Sequence, residues 1–500
     1  MEQKMTKRGK IFFKLFTVIA LICTMFFSPV LFSGCNAEDS SIGVYVVSIE
    51  QTTSNNEGTY YLVTYSNGQT TTLSIQNGVD GQDGQDGRDG ENGRDGQDLT
   101  IGSVYAKYVE EYGEISYADF LREYLNVTFF DNSTVINSCL SSCLKVYTEF
   151  YTTAFVGYDR WFNPQYADTV SMMCGSAIVY KVESDYTYVL TNYHVVFNAN
   201  ANTDNGSNIA RKIVGYLYGS EDDPVDSGTK ENGYTVYNYG TYGLEFEYVG
   251  GSIDYDIAVL KIETNRIKAV NEDVKAVELA EKYYVGETAI AIGNPENEGI
   301  SVTQGIVSVD NEYISLSIDN QNRSYRSIRI DTSIYGGSSG GGLFNCYGQL
   351  IGITNAGDNN DQNINYAIPV EIVKGVAKNI LDYYDGTSPT SVKKIKLGIS
   401  ASSQNSKYVY DSASGYGSIV EDIIVDAVEE NSIASILGLQ ENDQIKSIFI
   451  NDIEYSINRT FEIGDILLGA RGNDVIKVIY TRNSQQYLST TYTILDTDIQ

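Results

Sequence analysis

Tyr188-Val189-Leu190-Thr191-Asn192-Tyr193-His194-Val195-Val196 holds the one histidine of a 500-residue chain. A strand-like run precedes the imidazole and an apolar step follows it. Downstream come Asp256, opening Asp256-Ile257-Ala258-Val259-Leu260, and Ser339, inside Gly336-Gly337-Ser338-Ser339-Gly340-Gly341-Gly342-Leu343-Phe344-Asn345. A lone histidine reads first as a satisfied core or surface residue. With an acid and a glycine-bracketed serine following in that order, the three segments point instead to a catalytic triad.

The chemistry requires these residue types. A serine hydroxyl is a weak nucleophile at neutral pH, so an adjacent imidazole must take its proton as it attacks a carbonyl. A carboxylate must fix the imidazole tautomer and stabilise the imidazolium. Backbone N–H groups must then meet the oxyanion. The glycine run suits that task, because glycine permits positive φ and close backbone approach. The candidate donors are the amides of Gly337, Ser338 and Ser339. Asp254 is a near rival to Asp256, which is preferred because it directly precedes an apolar run.

Residues from about 140 to 380 resemble the HtrA/DegP family of trypsin-like serine proteases. The resemblance rests on the triad segments and on further ordered blocks. These are Gly175-Ser176-Ala177-Ile178-Val179, Ala289-Ile290-Ala291-Ile292-Gly293-Asn294-Pro295 and Val302-Thr303-Gln304-Gly305-Ile306-Val307-Ser308. Gly348-Gln349-Leu350-Ile351-Gly352-Ile353 and Tyr366-Ala367-Ile368-Pro369 complete the set. Around the serine, both family prolines are replaced by glycine, and Ser338 stands where the family has Asn. His194 and Asp256 lie 62 positions apart, long for the family. The excess, 197–251, is polar and rich in Gly, Asn and Tyr, and reads as surface loops plus one extra strand pair.

Residues 393–497 resemble the PDZ domain appended to such proteases. The marks are Lys396-Leu397-Gly398-Ile399, Ser432 to Leu439, Asn442-Asp443-Gln444-Ile445 and Asp474 to Tyr480. The resemblance implies a peptide-binding loop at Leu397, Gly398 and Ile399, adding an extended peptide to a sheet edge. It also implies a trimer and small aliphatic P1 residues.

The start of the chain supplies a location. Lys4, Lys7, Arg8, Lys10 and Lys14 precede an apolar stretch from Leu15 to Phe32, then Ser33-Gly34-Cys35. This is an export-signal pattern, and its Gly-Cys end resembles a lipoprotein signal with Cys35 lipidated. An uncleaved membrane anchor is the alternative, since about 20 apolar residues span a bilayer. Residues 36–77 alternate apolar and polar and read as a small β module. Glycines at 78, 81, 84, 87, 90, 93 and 96 then mark a collagen-like triplet repeat rich in Asp and free of proline. An extended acidic spacer is expected rather than a stable triple helix. Residues 99–133 read as a helical connector.

Composition fits this division. A net charge of −31 disfavours nucleic-acid partners and favours solubility. Cys139 and Cys143 have no histidine at zinc spacing, so no metal or other cofactor is expected. These two, with Cys174 and Cys346, read as free thiols, mostly buried, with a long-range disulfide as the alternative.

The expected architecture is mainly β. Residues 1–35 are the lipoprotein signal peptide, 36–77 the small β module, 78–98 the spacer and 99–133 the connector. A chymotrypsin-like double β-barrel protease domain at 134–385 and a PDZ domain (α+β) at 393–497 follow. The expected function is a membrane-tethered, extracytoplasmic serine endopeptidase acting on unfolded or mislocalised proteins, anchored at the outer face of a bacterial cytoplasmic membrane. The rivals are a weakly catalytic chaperone and a surface-display protein using the triplets.

Overall fold

The computed structural model describes residues 46–55, 58–65, 70–76, 132–202, 208–358, 361–411 and 415–500. The signal segment with Cys35, the triplet spacer 78–98 and nearly all of the connector 99–133 lie outside these residues. The chain divides into two compact units, 1–98 and 99–500. In the first, the described backbone forms an antiparallel three-stranded sheet of Val46–Asn55, Gly58–Tyr65 and Thr70–Gln76.

The described part of the second unit begins with a short helix, Asn132–Leu140, that leads into two β-barrels. The first barrel orders Lys212–Leu217, Cys143–Tyr158, Pro164–Val182, Tyr186–Thr191, Ile257–Glu263 and Glu247–Ser252. It closes because Leu244–Glu245, just before Glu247–Ser252, pairs back onto Lys212–Leu217. The second barrel runs Gln349–Asp358, Gly342–Phe344, Thr288–Gly293, Ser301–Ser317, Asn322–Ile330 and Asp361–Pro369. Pairing of Asp361–Pro369 with Gln349–Asp358 closes it.

The apolar runs are continuous rather than alternating because these strands are covered on both faces. Within Thr288–Gly293, Ala289 and Ala291 face the core of the second barrel, whereas Ile290 and Ile292 enter the core between the barrels. Ile178, Leu190, Ile257 and Phe344 join that shared core, while Val179, Val189, Ala258 and Leu260 fill the first barrel. Along Thr288–Gly293, small side chains thus face the barrel interior and branched ones the seam. Between His194 and Asp256 the structure adds an exposed hairpin, Val225–Glu231 with Tyr234–Asn238.

Helix Val370–Tyr383 closes the barrels and presents Gly375 to Leu468 of a C-terminal module. That module has a sheet ordered Ile399–Asp411, Tyr416–Val428, Gln444–Ile450, Val475–Arg482 and Gln485–Leu488. Helices Ile433–Leu437 and Glu462–Leu468 cover its core.

Arginines hold the module on the barrels. Buried Arg326 reaches Asp465 at 2.6 Å and Glu371 at 3.3 Å. Arg459 reaches Asp310 at 3.0 Å, and Arg471 reaches Asp382 at 2.8 Å. Removing one partner of a buried pair strands the other's charge, at a cost of about 3–5 kcal/mol, whereas replacing both by apolar groups is often neutral. Arg326→Met should therefore lower the first denaturation transition of the full chain. Arg326→Met with Asp465→Leu should recover most of the loss, and equal midpoints for the two variants would refute this account.

Candidate active site

The histidine and its carboxylate are brought together by strand pairing. Tyr186–Thr191 pairs with Ile257–Glu263, with Thr191 opposite Ala258. His194 lies on the helical turn Tyr193–Val196 just past one strand, and Asp256 just before the other. Asp256 is fully buried and accepts twice from the same residue. The His194 backbone N–H meets Oδ1 at 2.9 Å, and Nδ1 lies 2.7 Å from Oδ2. Asn192 Nδ2 donates to the Asp256 carbonyl at 2.9 Å.

Asp256 adopts φ +52, a left-handed conformation that Asp and Asn tolerate better than most residues. Asp254 turns elsewhere, to Arg323 at 2.9 Å and Lys394 at 2.6 Å. Burial opposes protonation of His194, but the charge of Asp256 and its hydrogen bond outweigh this and hold the imidazole above its ordinary pKa of 6.5. The ring keeps 28% of its side-chain surface open.

Ser339 stands on a loop held from both barrels. Gly337 has φ +95 and Gly340 φ +88. A Cβ on Gly337 would sit 2.3 Å from the Asn294 carbonyl oxygen, and one on Gly340 2.1 Å from that of Ser176. The glycines here are demanded by contact, not by looseness. The loop's carbonyls are also tied down. Gly336 accepts from Glu296 N–H at 2.6 Å and Ser339 from Ser176 N–H at 2.8 Å. Gly337 accepts from Ser176 Oγ at 2.8 Å, and Ser338 from Thr354 Oγ1 at 2.6 Å.

The three amides expected to face an oxyanion are not equivalent. The Ser338 N–H donates to the Tyr335 carbonyl at 3.0 Å, closing the turn, so it is withdrawn from that group. Among the described residues, no protein acceptor takes the Gly337 or Ser339 N–H. Ser339 Oγ donates to the Asn355 carbonyl at 3.0 Å rather than to His194. A cavity of about 460 Å³ beside His194 is lined by Met173, Phe197, Leu316 and Asn355, among others. Both polar atoms of the Asn355 amide are buried without a protein partner.

The sequence reading singled out neither Ser176 nor Thr354 for a role. Ser176 is buried, accepts from Asn294 N–H at 2.8 Å through the same Oγ that donates to Gly337, and so joins three segments. Its place beside Gly175 in a block quoted above was the available signal.

The C-terminal loop is built differently from the Ser339 loop. Leu397 is buried, and its carbonyl accepts from Ala434 N–H at 2.8 Å. Gly398, at φ +79, accepts from Glu429 N–H at 2.9 Å. Ile399 opens the edge strand of the C-terminal sheet. Cys139, Cys143, Cys174 and Cys346 are free thiols, the first two buried. Burial pushes the Cys143 thiol well above its ordinary pKa. Among the described residues no cluster of His, Cys, Asp and Glu is placed to hold a metal ion, and no helix is long and apolar enough to cross a membrane.

Sequence comparison with known proteins agrees with this reading. Residues 175–353 match the family described as trypsin-like peptidase domain. The serine protease Do-like HtrA of Lactococcus lactis subsp. cremoris is 26% identical over 322 residues, covering 62% of this chain and 68% of that protein. The serine endoprotease DegS of Haemophilus influenzae is 32% identical over 208 residues, 40% of this chain and 53% of that protein. Among solved structures, the HtrA-type protease AlgW with decapeptide is 22% identical, with a TM-score of 0.44, covering 73% of this chain and 99% of that one. The chain thus carries a trypsin-like serine endopeptidase domain. Its relatives are HtrA/DegP serine proteases.

Ser176→Ala tests the loop's support. Losing the hydroxyl leaves the Asn294 N–H buried and unpaired, at a cost of about 1–3 kcal/mol. Peptidase kcat should fall, with the fold retained by circular dichroism. Unchanged kcat would show that the Ser339 loop does not depend on this hydroxyl.

Proposed function

We propose that His194, Asp256 and Ser339 form the triad of an extracytoplasmic, membrane-tethered endopeptidase that cleaves unfolded or mislocalised polypeptides. The observation that carries the reading is the double hydrogen bond from His194 to a buried Asp256, beside a loop whose Gly337 and Ser339 amides are unclaimed. Asp256 holds the Nδ1 tautomer, so Nε2 is the proton acceptor. Ser339 Oγ leaves the Asn355 carbonyl and gives its proton to Nε2 as it attacks the scissile carbonyl. The amides of Gly337 and Ser339 then stabilise the oxyanion, and the imidazolium returns the proton to the leaving amine.

The C-terminal module is read as a PDZ domain that adds a substrate segment or C-terminus to the edge strand beginning at Ile399, with Leu397, Gly398 and Ile399 as the loop. A trimer is the assembly implied by resemblance. Tethering is supported by the basic start, the apolar stretch Leu15–Phe32 and Gly34-Cys35. A weakly catalytic, substrate-holding protein is the second reading. The Ser339 hydroxyl, turned toward Asn355 at rest, favours it.

Hydrolysis of an unfolded model protein separates the two. Ser339→Ala should lower the rate by several orders of magnitude and shift stability by less than about 1 kcal/mol. Ser338→Ala should remain active. Equal hydrolysis by wild type and Ser339→Ala would remove the triad.

The sign of the pH dependence follows from the raised imidazole pKa. Protonated His194 cannot accept the serine proton, so kcat/KM falls as pH drops through a midpoint above 6.5. Asp256→Asn keeps a residue tolerant of φ +52 but removes the charge, so midpoint and rate should both drop. A midpoint unmoved by that substitution would detach Asp256 from the histidine's titration.

A further inference from the structure

Strands Cys143–Tyr158 and Pro164–Val182 are far longer than the barrel needs. Of these two strands, only Leu144 to Glu149 pairs with Lys212–Leu217, and only Ile178 to Val182 with Tyr186–Thr191. Among the described residues, the last hydrogen bond to the ribbon from outside it is at Thr153, whose Oγ1 accepts from Asn202 Nδ2 at 2.7 Å. From there to Tyr158 the ribbon extends about 17 Å at roughly 3.3 Å per residue.

Its end is aromatic. Phe155 lies opposite Tyr166, their ring centroids 5.9 Å apart, and Tyr158 stands 5.1 Å from Phe155. The apex carries Trp161, 70% exposed, and Phe162, 85% exposed, while Phe155 is 50% exposed. Phe162 adopts φ +60, where Gly or Asn would sit with less strain. A bulky ring is thus held in solvent at a conformational cost.

The apex consumes its own polar groups. Asp159 Oδ1 accepts from the N–H of Trp161 at 2.7 Å and of Asn163 at 2.9 Å, and Oδ2 from Asn163 Nδ2 at 3.1 Å. Arg160 lies over the Trp161 ring at 5.0 Å. Asp159 and Arg160 cancel, so the tip is neutral on a chain of net charge −31.

We propose that this tip inserts its rings into the interfacial layer of a lipid bilayer. Trp and Tyr favour that layer, where an apolar ring and a polar edge are both accommodated. Interfacial elements sit about 5–10 Å deep, which matches the reach from Phe155 to the apex. Trp161 and Phe162 sit exposed at the turn of a protruding hairpin, a placement that suits a fluid layer closing around them rather than a preformed groove. The tip's neutrality matters because the rest of the chain is repelled by anionic headgroups. The choice of a membrane as occupant rests on the export reading of residues 1–35. The arm would fix the protease's height and orientation over the surface to which its N-terminus is tethered.

Trp161 is the single tryptophan of the chain and reports directly. The full chain is mixed with phosphatidylcholine vesicles containing acyl-brominated lipid. Flotation reads the tether, and Trp161 emission reads the tip. The expected result is flotation with a blue-shifted, bromine-quenched Trp161. Phe162→Asn, which suits the left-handed turn, should keep flotation and peptidase activity. It should lower the inserted fraction of the tip by about tenfold, the equivalent of one buried phenyl ring. Phe155→Ser should act likewise. Flotation without quenching overturns the tip and spares the tether, whereas loss of both overturns both. A lipid-free blue shift that grows with protein concentration would assign the rings to a second copy. One seen only with an unfolded polypeptide would assign them to substrate. Either result overturns the membrane proposal.

Discussion

The active region depends on a backbone contact with no room for side chains. Ser176, on a strand of the first barrel, gives its N–H to Ser339 and its Oγ to Gly337, and its carbonyl lies against Gly340. A strand edge and a tight turn can approach this closely only if the turn lacks Cβ atoms. Gly341 obeys the same rule, since its Cβ would sit 2.5 Å from the Ile292 carbonyl oxygen. Replacing the family's prolines by glycine enlarges the unfolded ensemble. The network of accepted carbonyls offsets that in the folded state.

The second constraint is electrostatic. Asp256 is buried at a left-handed φ, a combination that costs energy on both counts. The His194 N–H and ring, with Asn192 anchoring the backbone, make the arrangement stable. Asp254, two residues earlier, is exposed enough to serve Arg323 and Lys394 instead. A turn between acids two positions apart therefore separates a carboxylate that orients the imidazole from one that joins the barrels to the segment leading into the C-terminal module.

How much of this was legible follows from which interactions are local. His194, Asp256 and Ser339 each sit in a short segment with its own pattern, and strand pairing brings the first two together. The two-barrel fold was legible in apolar runs such as Ala289 to Gly293, though their division into barrel and seam faces was not. The withdrawal of the Ser338 amide depends on the turn back to Tyr335, which no residue type announces. The bond from Ser339 Oγ to the Asn355 carbonyl joins a loop residue to one on strand Gln349–Asp358 and was equally hidden. Ser176 was visible only as one member of a block, because its role lies in partners more than a hundred positions away. The ribbon tip was present as Trp161-Phe162, but its exposure depends on where neighbouring strands stop pairing.

The attachment of the C-terminal module follows from the chain's charge. With 34 cations against 65 acids, most carboxylates must face water. Arginines are instead gathered where the module meets the barrels, most of them between two acids: Arg326 with Asp465 and Glu371, Arg459 with Asp310 and Glu421. Arginine suits this duty because its planar fork serves two acceptors without losing charge. The balance is close, however. Burial pushes the Asp465 carboxyl up to about 7, against the attraction of Arg326 and with added repulsion from Glu371 and Glu462. Burial thus works against the charge on which this pair depends. Uncharged contacts stand beside it: Gly375 against Leu468, and the Asn379 amide on the carbonyls of Lys393 and Leu468.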